Sequence, residues 1–183
     1  MESSYERDVH TTEDIEALPD GTRAELIDGE MYMMSAPGRR HQRIIAELTT
    51  SINNYIKYKG GKCEVNPAPF AVYLFNDEYN YFEPDISVIC DPEKLDDKGC
   101  HGAPDWVLEI VSPSSQRLDY MLKLFKYEQA GVKEYWIIDV DKGHISVYDF
   151  ANETTEEYSL DSVVKPAIYE DLEIDFAAIM KSV

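Results

Sequence analysis

The chain is 183 residues long, 44% hydrophobic and 29% charged, which suits one globular domain, residues 1–183, able to bury roughly 70% of its unfolded surface. Its formal net charge of −19 counts against a nucleic-acid binder of the usual basic kind. No apolar run approaches the ~20 residues of a spanning helix, and the polar start MESSYERDVH does not read as a signal peptide, so a cytoplasmic protein with no membrane partner is expected.

The charge is uneven. Residues 1–30 hold ten acidic and two basic groups, and residues 149–183 hold nine and two, so much of the acidity is terminal and reads as a solvated surface. Cys63, Cys90 and Cys100 are odd in number and scattered, and are read as free thiols in a reducing compartment. Cys100-His101 has no second pair at zinc spacing.

In chain order, Thr11-Thr12-Glu13-Asp14 marks the start of a short helix. Asp28-Gly29 lies between two alternating runs and predicts a hairpin. Ile44, Ile45, Leu48, Ile52, Tyr55 and Ile56 recur at helical spacing over about 41–58, and Gly60-Gly61 ends that helix. "KCEVNPAPFAVYLF" predicts one or two strands broken at Pro67 and Pro69, and "YFEPDISVIC" a further strand. Residues 91–104 read as a long polar loop of a kind that is often functional.

"WVLEIV" (106–111) predicts a buried strand, and "SPSS" (112–115) turns the chain into a helix over about 116–129. The apolar stripe of that helix is Leu118, Met121, Leu122 and Phe125. "EYWIIDV" and "HISVYDF" form a hairpin, followed by a strand near "EEYSL" and a closing helix at "DFAAIM". The order implies an α/β (α+β) fold, a central mixed sheet flanked by helices, with a parallel crossover between 106 and 140.

Two acids interrupt strands that otherwise look buried, Asp85 in "FEPDISVIC" and Glu109 in "VLEIVSPSS". An isolated carboxylate there loses several kcal/mol to desolvation unless a partner offsets it. Carboxylates near the ends of adjacent strands suit a hard divalent cation, which polarises a phosphodiester and activates water. The blander alternative is a structural ion pair at Glu109 and a turn at Pro84-Asp85.

"EPD" (83–85), "VLEIVSPSS" (107–115), "DYMLKLFKYEQAGVKEYWIID" (119–139) and "AELIDGEMYMMSAPGRRHQRI" (24–44) together resemble the Uma-type restriction endonucleases of the PD-(D/E)XK nuclease superfamily. The resemblance implies a restriction-endonuclease-like core and a Mg²⁺- or Mn²⁺-dependent endonuclease acting on DNA, with a homodimer plausible for cutting two strands. It implies Asp85 and Glu109 as metal ligands and Glu25 as an additional upstream acid, whose bland alternative is a half-exposed strand residue.

One position departs from the superfamily pattern. A lysine belongs two residues after the glutamate, and the residue there is Val111. The family carries a lysine in the following helix, where Lys123 stands. On a helical wheel Lys123 lies about 150° from the centre of the apolar stripe, so it is not expected to face the core. Its alternative is an exposed pair with Asp119. His41, Arg39, Arg40 and Arg43 are candidate phosphate contacts, or else a helix start and a solvated face. The net charge, Val111 and the lack of a DNA-reading motif leave a second expectation open, a nuclease-like fold that no longer cuts and serves as a binding or interaction protein. RNA or a nucleotide remains open as substrate.

Overall fold

A computed structural model describes residues 9–112 and 115–183. Residues 1–8 of the polar start, and Pro113-Ser114 within the expected turn, lie outside the described residues.

Helix α1 (Thr12–Glu16) opens the chain, with the Asp14 carboxylate accepting the Thr11 N–H at 2.8 Å. Strands β1 (Ala24–Ile27) and β2 (Glu30–Met33) form the hairpin foreseen at Asp28-Gly29. Both turn residues have positive φ, 51° and 77°, as a two-residue loop compatible with strand twist requires. Leu26 and Tyr81 exchange backbone hydrogen bonds of 2.7 and 2.8 Å, which ties the hairpin to the segment leading into Asp85.

Helix α2 (Arg39–Tyr58) follows, then strands β3 (Glu64–Pro67), β4 (Val72–Tyr73) and β5 (Ile86–Ile89). Residues 91–104 are not one open loop: a short 3₁₀ turn leads into strands β6 (Leu95–Asp96) and β7 (Gly99–His101), which join β4 in a small sheet of order β4-β7-β6. Strand β8 (Trp106–Ile110) carries Glu109. After it, a π-helical stretch over Leu118–Lys123 runs into α3 (Leu124–Ala130). Strands β9 (Glu134–Asp139), β10 (His144–Asp149) and β11 (Thr154–Ser159), the small pair β12 (Val163–Val164) and β13 (Ile174–Asp175), and helix α4 (Phe176–Ser182) complete the chain.

The main sheet has the order β11-β10-β9-β8-β5-β3. It is mixed, since β8 pairs antiparallel with β5 and parallel with β9, so the crossover expected between 106 and 140 is present. Strand alternation splits the core between the two faces. Trp106, Leu108 and Ile110 pack with Ile44, Leu48 and Ile52 of α2 and with the C-terminal Ile174, Phe176 and Ile179. Val107 packs on the opposite side with Ile137, Tyr127 and Tyr135. Glu109 shares the parity of Val107, so it faces α3 and its Tyr127.

The expectation of three free thiols is also corrected. Cys63 and Cys90 are joined in a disulfide and only Cys100 is free. The register explains it: Glu64 faces Ile89 across β3 and β5, which brings Cys63 and Cys90, one residue beyond, opposite each other. Asp85 and Glu109 are also not the only acids drawn inward. Glu25, Glu134 and Asp139 are buried too. Glu134 accepts the Trp136 indole N–H at 2.6 Å and the Ile168 N–H at 3.1 Å, so it pins the C-terminal segment to β9.

Thiol titration of the denatured, unreduced protein is expected to find one reactive cysteine, and three after reduction. With the paired cysteines 27 positions apart in the chain, reduction is expected to lower the unfolding free energy by about 3.5 kcal/mol, read by urea titration with and without reductant.

Candidate active site

The site forms where the β5–β8 ladder stops. The last pair across it is Ile86 with Leu108, which sets Asp85 opposite Glu109. Beyond that point side chains replace the backbone bonds. Ile110 N–H donates to Asp85 Oδ2 at 2.8 Å, and Asp85 N–H donates to Glu109 Oε2 at 3.3 Å. The two carboxylates are therefore immediate neighbours, each tied to the other's strand.

Glu109 is 3% exposed and lies wholly inside the fold. Its partner is Lys123, whose Nζ lies 2.8 Å from Glu109 Oε1, 2.9 Å from Glu25 Oε2 and 3.5 Å from Asp119 Oδ1. Tyr127 O–H donates to the same Glu109 oxygen at 3.0 Å. Glu25 also accepts the Glu83 N–H at 3.0 Å, so the β1 acid is fixed at both oxygens. The half-exposed alternative for Glu25 does not hold, because it is 1% exposed.

Lys123, 3% exposed, overturns the wheel-based expectation that this residue avoids the core. Asp119, Lys123 and Lys126 face inward, while Met121 and Phe125 of the apolar stripe are 62% and 61% exposed. The wheel sorts residues onto faces correctly, but the wall that receives this helix is lined with Glu25 and Glu109. A charged face fits that wall, and Met121, Leu122 and Phe125 are turned out while Leu118 stays packed against the core. The π-helical winding of Leu118–Lys123, a feature often found at functional sites, accompanies this placement.

The electrostatics follow from burial. Desolvation pushes the Glu109 carboxyl well above the usual range; Lys123 opposes the push, and Asp85, Asp119 and Glu25 add to it. Asp119 is raised mainly by burial as well, and its Oδ1 accepts no hydrogen bond among the described residues. Burial alone lowers the Lys123 ammonium, but the carboxylates around it outweigh that and hold its proton firmly. Burial also pulls His41 down, while its hydrogen bond to Asp85 and the charge of Asp85 prevail and raise it. His41 Nε2 lies 3.1 Å from Asp85 Oδ2 and 3.0 Å from the Ile110 carbonyl oxygen; both are acceptors, so this nitrogen carries the hydrogen.

These groups form the floor of a cleft of about 840 Å³. Arg40 and His41 line it, as does Val111, but Arg39 and Arg43 are not among the lining residues, and Arg43 pairs with Glu47 at 2.9 Å. Arg23 and Arg117 also line the cleft, though neither was singled out in the sequence. The alternative of an exposed Asp119–Lys123 pair does not hold, because both residues are buried. The spacing of four between them was the available signal, and it acquires meaning only once Lys123 is known to be buried.

A family described as "Uma2: Putative restriction endonuclease" matches residues 12–177. The chain belongs to the Uma2 family. An uncharacterised protein of Synechocystis sp. is 29% identical over 125 residues, covering 68% of this chain but only 64% of that protein's own length. The crystal structure of a "putative nuclease belonging to DUF820" from Anabaena variabilis superposes with a TM-score of 0.76 at 23% identity, covering 93% of this chain and 97% of that one. That likeness establishes the fold. The Uma2 match spans every residue of the cluster, from Glu25 to Tyr127. No helix among the described residues is long and apolar enough to cross a membrane.

Lys123→Met is expected to cost about 3–5 kcal/mol at pH 7, because it leaves buried carboxylates unpaired. Glu109 already titrates above its ordinary 4.5 in the fold, and removing Lys123 takes away the influence that lowers it. A raised folded pKa favours the protonated fold, so the variant should regain stability as pH falls from 7 towards 5 and lose more as pH rises. Urea unfolding at several pH values checks the sign.

Proposed function

We propose that this protein is a divalent-metal-dependent endonuclease acting on DNA phosphodiester bonds, with Asp85 and Glu109 holding Mg²⁺ or Mn²⁺ and Lys123 supplying the fixed positive charge. The observation that carries this reading is the reciprocal bonding of Asp85 and Glu109 at the end of a ladder, with Lys123 docked on Glu109 at the floor of a cleft.

The residues fit such an ion. Glu25, Glu109 and Asp119 surround the Lys123 ammonium, and Asp85 lies beside Glu109 with His41 as its own partner, so the floor holds more acids than buried ammonium charge. The donors are hard oxygens, as Mg²⁺ and Mn²⁺ prefer. The described residues contain no group of three or more His, Cys, Asp or Glu arranged for a metal, and Mg²⁺ commonly rests on one or two carboxylates plus water. A bound cation would polarise the phosphodiester and lower the pKa of a coordinated water.

The remaining work falls to the chain. Lys123 keeps its proton on Nζ and so serves as a donor to developing phosphate charge rather than as a base. Glu25 and Asp119 hold that ammonium in place, and Tyr127 donates to the same Glu109 oxygen that Lys123 contacts and so helps to orient that carboxylate. His41 fixes the orientation of Asp85 through its Nε2 hydrogen. Val111 lines the cleft where the superfamily lysine is expected, so its role passes to a residue arriving from the next helix.

Incubation of supercoiled plasmid with Mn²⁺ or Mg²⁺ is expected to give nicked or linear DNA, and Asp85→Asn and Lys123→Met are each expected to lower the rate by about 100-fold or more. Equal rates in wild type and both variants would remove these residues from the chemistry. No cleavage of any nucleic acid would instead support the second reading, a nuclease-like fold that serves as a binding or interaction protein, which Val111 and the charge of −19 favour.

A further inference from the structure

The chemical groups lie deep. Glu25, Glu109 and Lys123 are all buried, and the Asp85 side chain is 14% exposed, so a scissile phosphate must enter the cleft to reach them. What it passes is unusual for a route meant only for phosphate. Met33, Met121 and Leu122 line the same cleft, and they are 60%, 62% and 38% exposed. Tyr32 stands beside Met33 in the lining.

The positive charge along the cleft is sparse. Arg23 is committed to Glu83 at 2.6 Å, which leaves Arg40 and Arg117, both exposed, as the cations of the lining outside the Lys123 cluster. The pKa of Tyr32 is raised by burial and by Glu30 beside it, and the charge of Arg117 opposes them, which places a cation as well as an acid next to the apolar wall.

We infer that the cleft takes an unpaired, single-stranded stretch of DNA, with bases laid against the Met33, Met121, Leu122 and Tyr32 wall and neighbouring phosphates at Arg40 and Arg117. This rests on the nuclease reading above and specifies its substrate. An intact duplex presents two rows of phosphate, about one charge per 1.7 Å of axis, to a chain of net charge −19. It also keeps its bases stacked inward, which leaves the apolar wall in water. An unpaired strand brings a single row of phosphates that two arginines can meet. Its free base faces can cover the wall, as in sequence-tolerant single-strand binding.

The test uses the full chain with Ca²⁺ and fluorescence anisotropy of a labelled 12-nucleotide oligothymidine and of a hairpin-closed 12-base-pair duplex, with gels checking that neither is cut. Single-strand binding is expected to be at least about tenfold tighter, and Met121→Glu, at an exposed position, to weaken it about tenfold with thermal stability unchanged. In Mn²⁺, cuts on a duplex carrying a single-stranded gap should fall in the gap. Equal or tighter duplex binding, with cuts spread through paired DNA, overturns the inference and leaves the nuclease reading standing. Wild-type affinity in Met121→Glu overturns the base wall. No binding and no cleavage of any DNA overturns both.

Discussion

Lys123 is the constraint on which the site and its surroundings depend. An ammonium almost sealed from water is tolerable only because Glu25, Glu109 and Asp119 surround it, and those acids are tolerable only because of the ammonium. The acids come from β1, from β8 and from the π-helical turn that carries the lysine. Their mutual need therefore fixes how the hairpin and the helix sit on the sheet. It also explains why that helix turns Met121 and Phe125 towards water, an arrangement that hydrophobic burial alone would reverse.

The end of the β5–β8 ladder supplies the second half of the site. Where backbone pairing stops, Asp85 and Glu109 satisfy the orphaned N–H groups of Ile110 and of Asp85 itself. That use holds the two carboxylates side by side and gives each a structural reason to be there, independent of the chemistry proposed for them. Glu134 makes the contrast plain. It is fully buried on β9, yet its oxygens are taken by Trp136 and the Ile168 N–H, and it lies outside the cleft lining. Burial of a carboxylate therefore does not by itself distinguish the candidate site; the convergence of several carboxylates on one cation does.

Much of the fold was legible. The Asp28-Gly29 hairpin, the long helix, the strand carrying Glu109 and the β9–β10 hairpin all stand where local pattern put them. The losses have physical causes. Residues 91–104 looked like loop because strands of two or three residues leave no period to detect. Cys63 and Cys90 looked unpaired because their meeting depends on the β3–β5 register, which spacing along the chain does not reveal. Asp119 looked like a surface partner because an i, i+4 pair reads the same on either side of a helix. Arg23 and Arg117 carried no motif and gain interest only from the cleft they line.

What the sequence determined by itself is which residues share a face and which stretches pair or coil, because those follow from periods of two and 3.6 and from turn chemistry in the chain. It also contained the Uma2 pattern, and with it the acids at 25, 85 and 109 and the lysine at 123. Only the tertiary structure decided which face of the 118–130 helix meets the sheet. That choice depends on the wall opposite, and Glu25 reaches that wall from nearly a hundred residues upstream of Lys123. The same long-range meeting buries Glu109 completely and makes a lysine, rather than water at the strand end, its nearest partner.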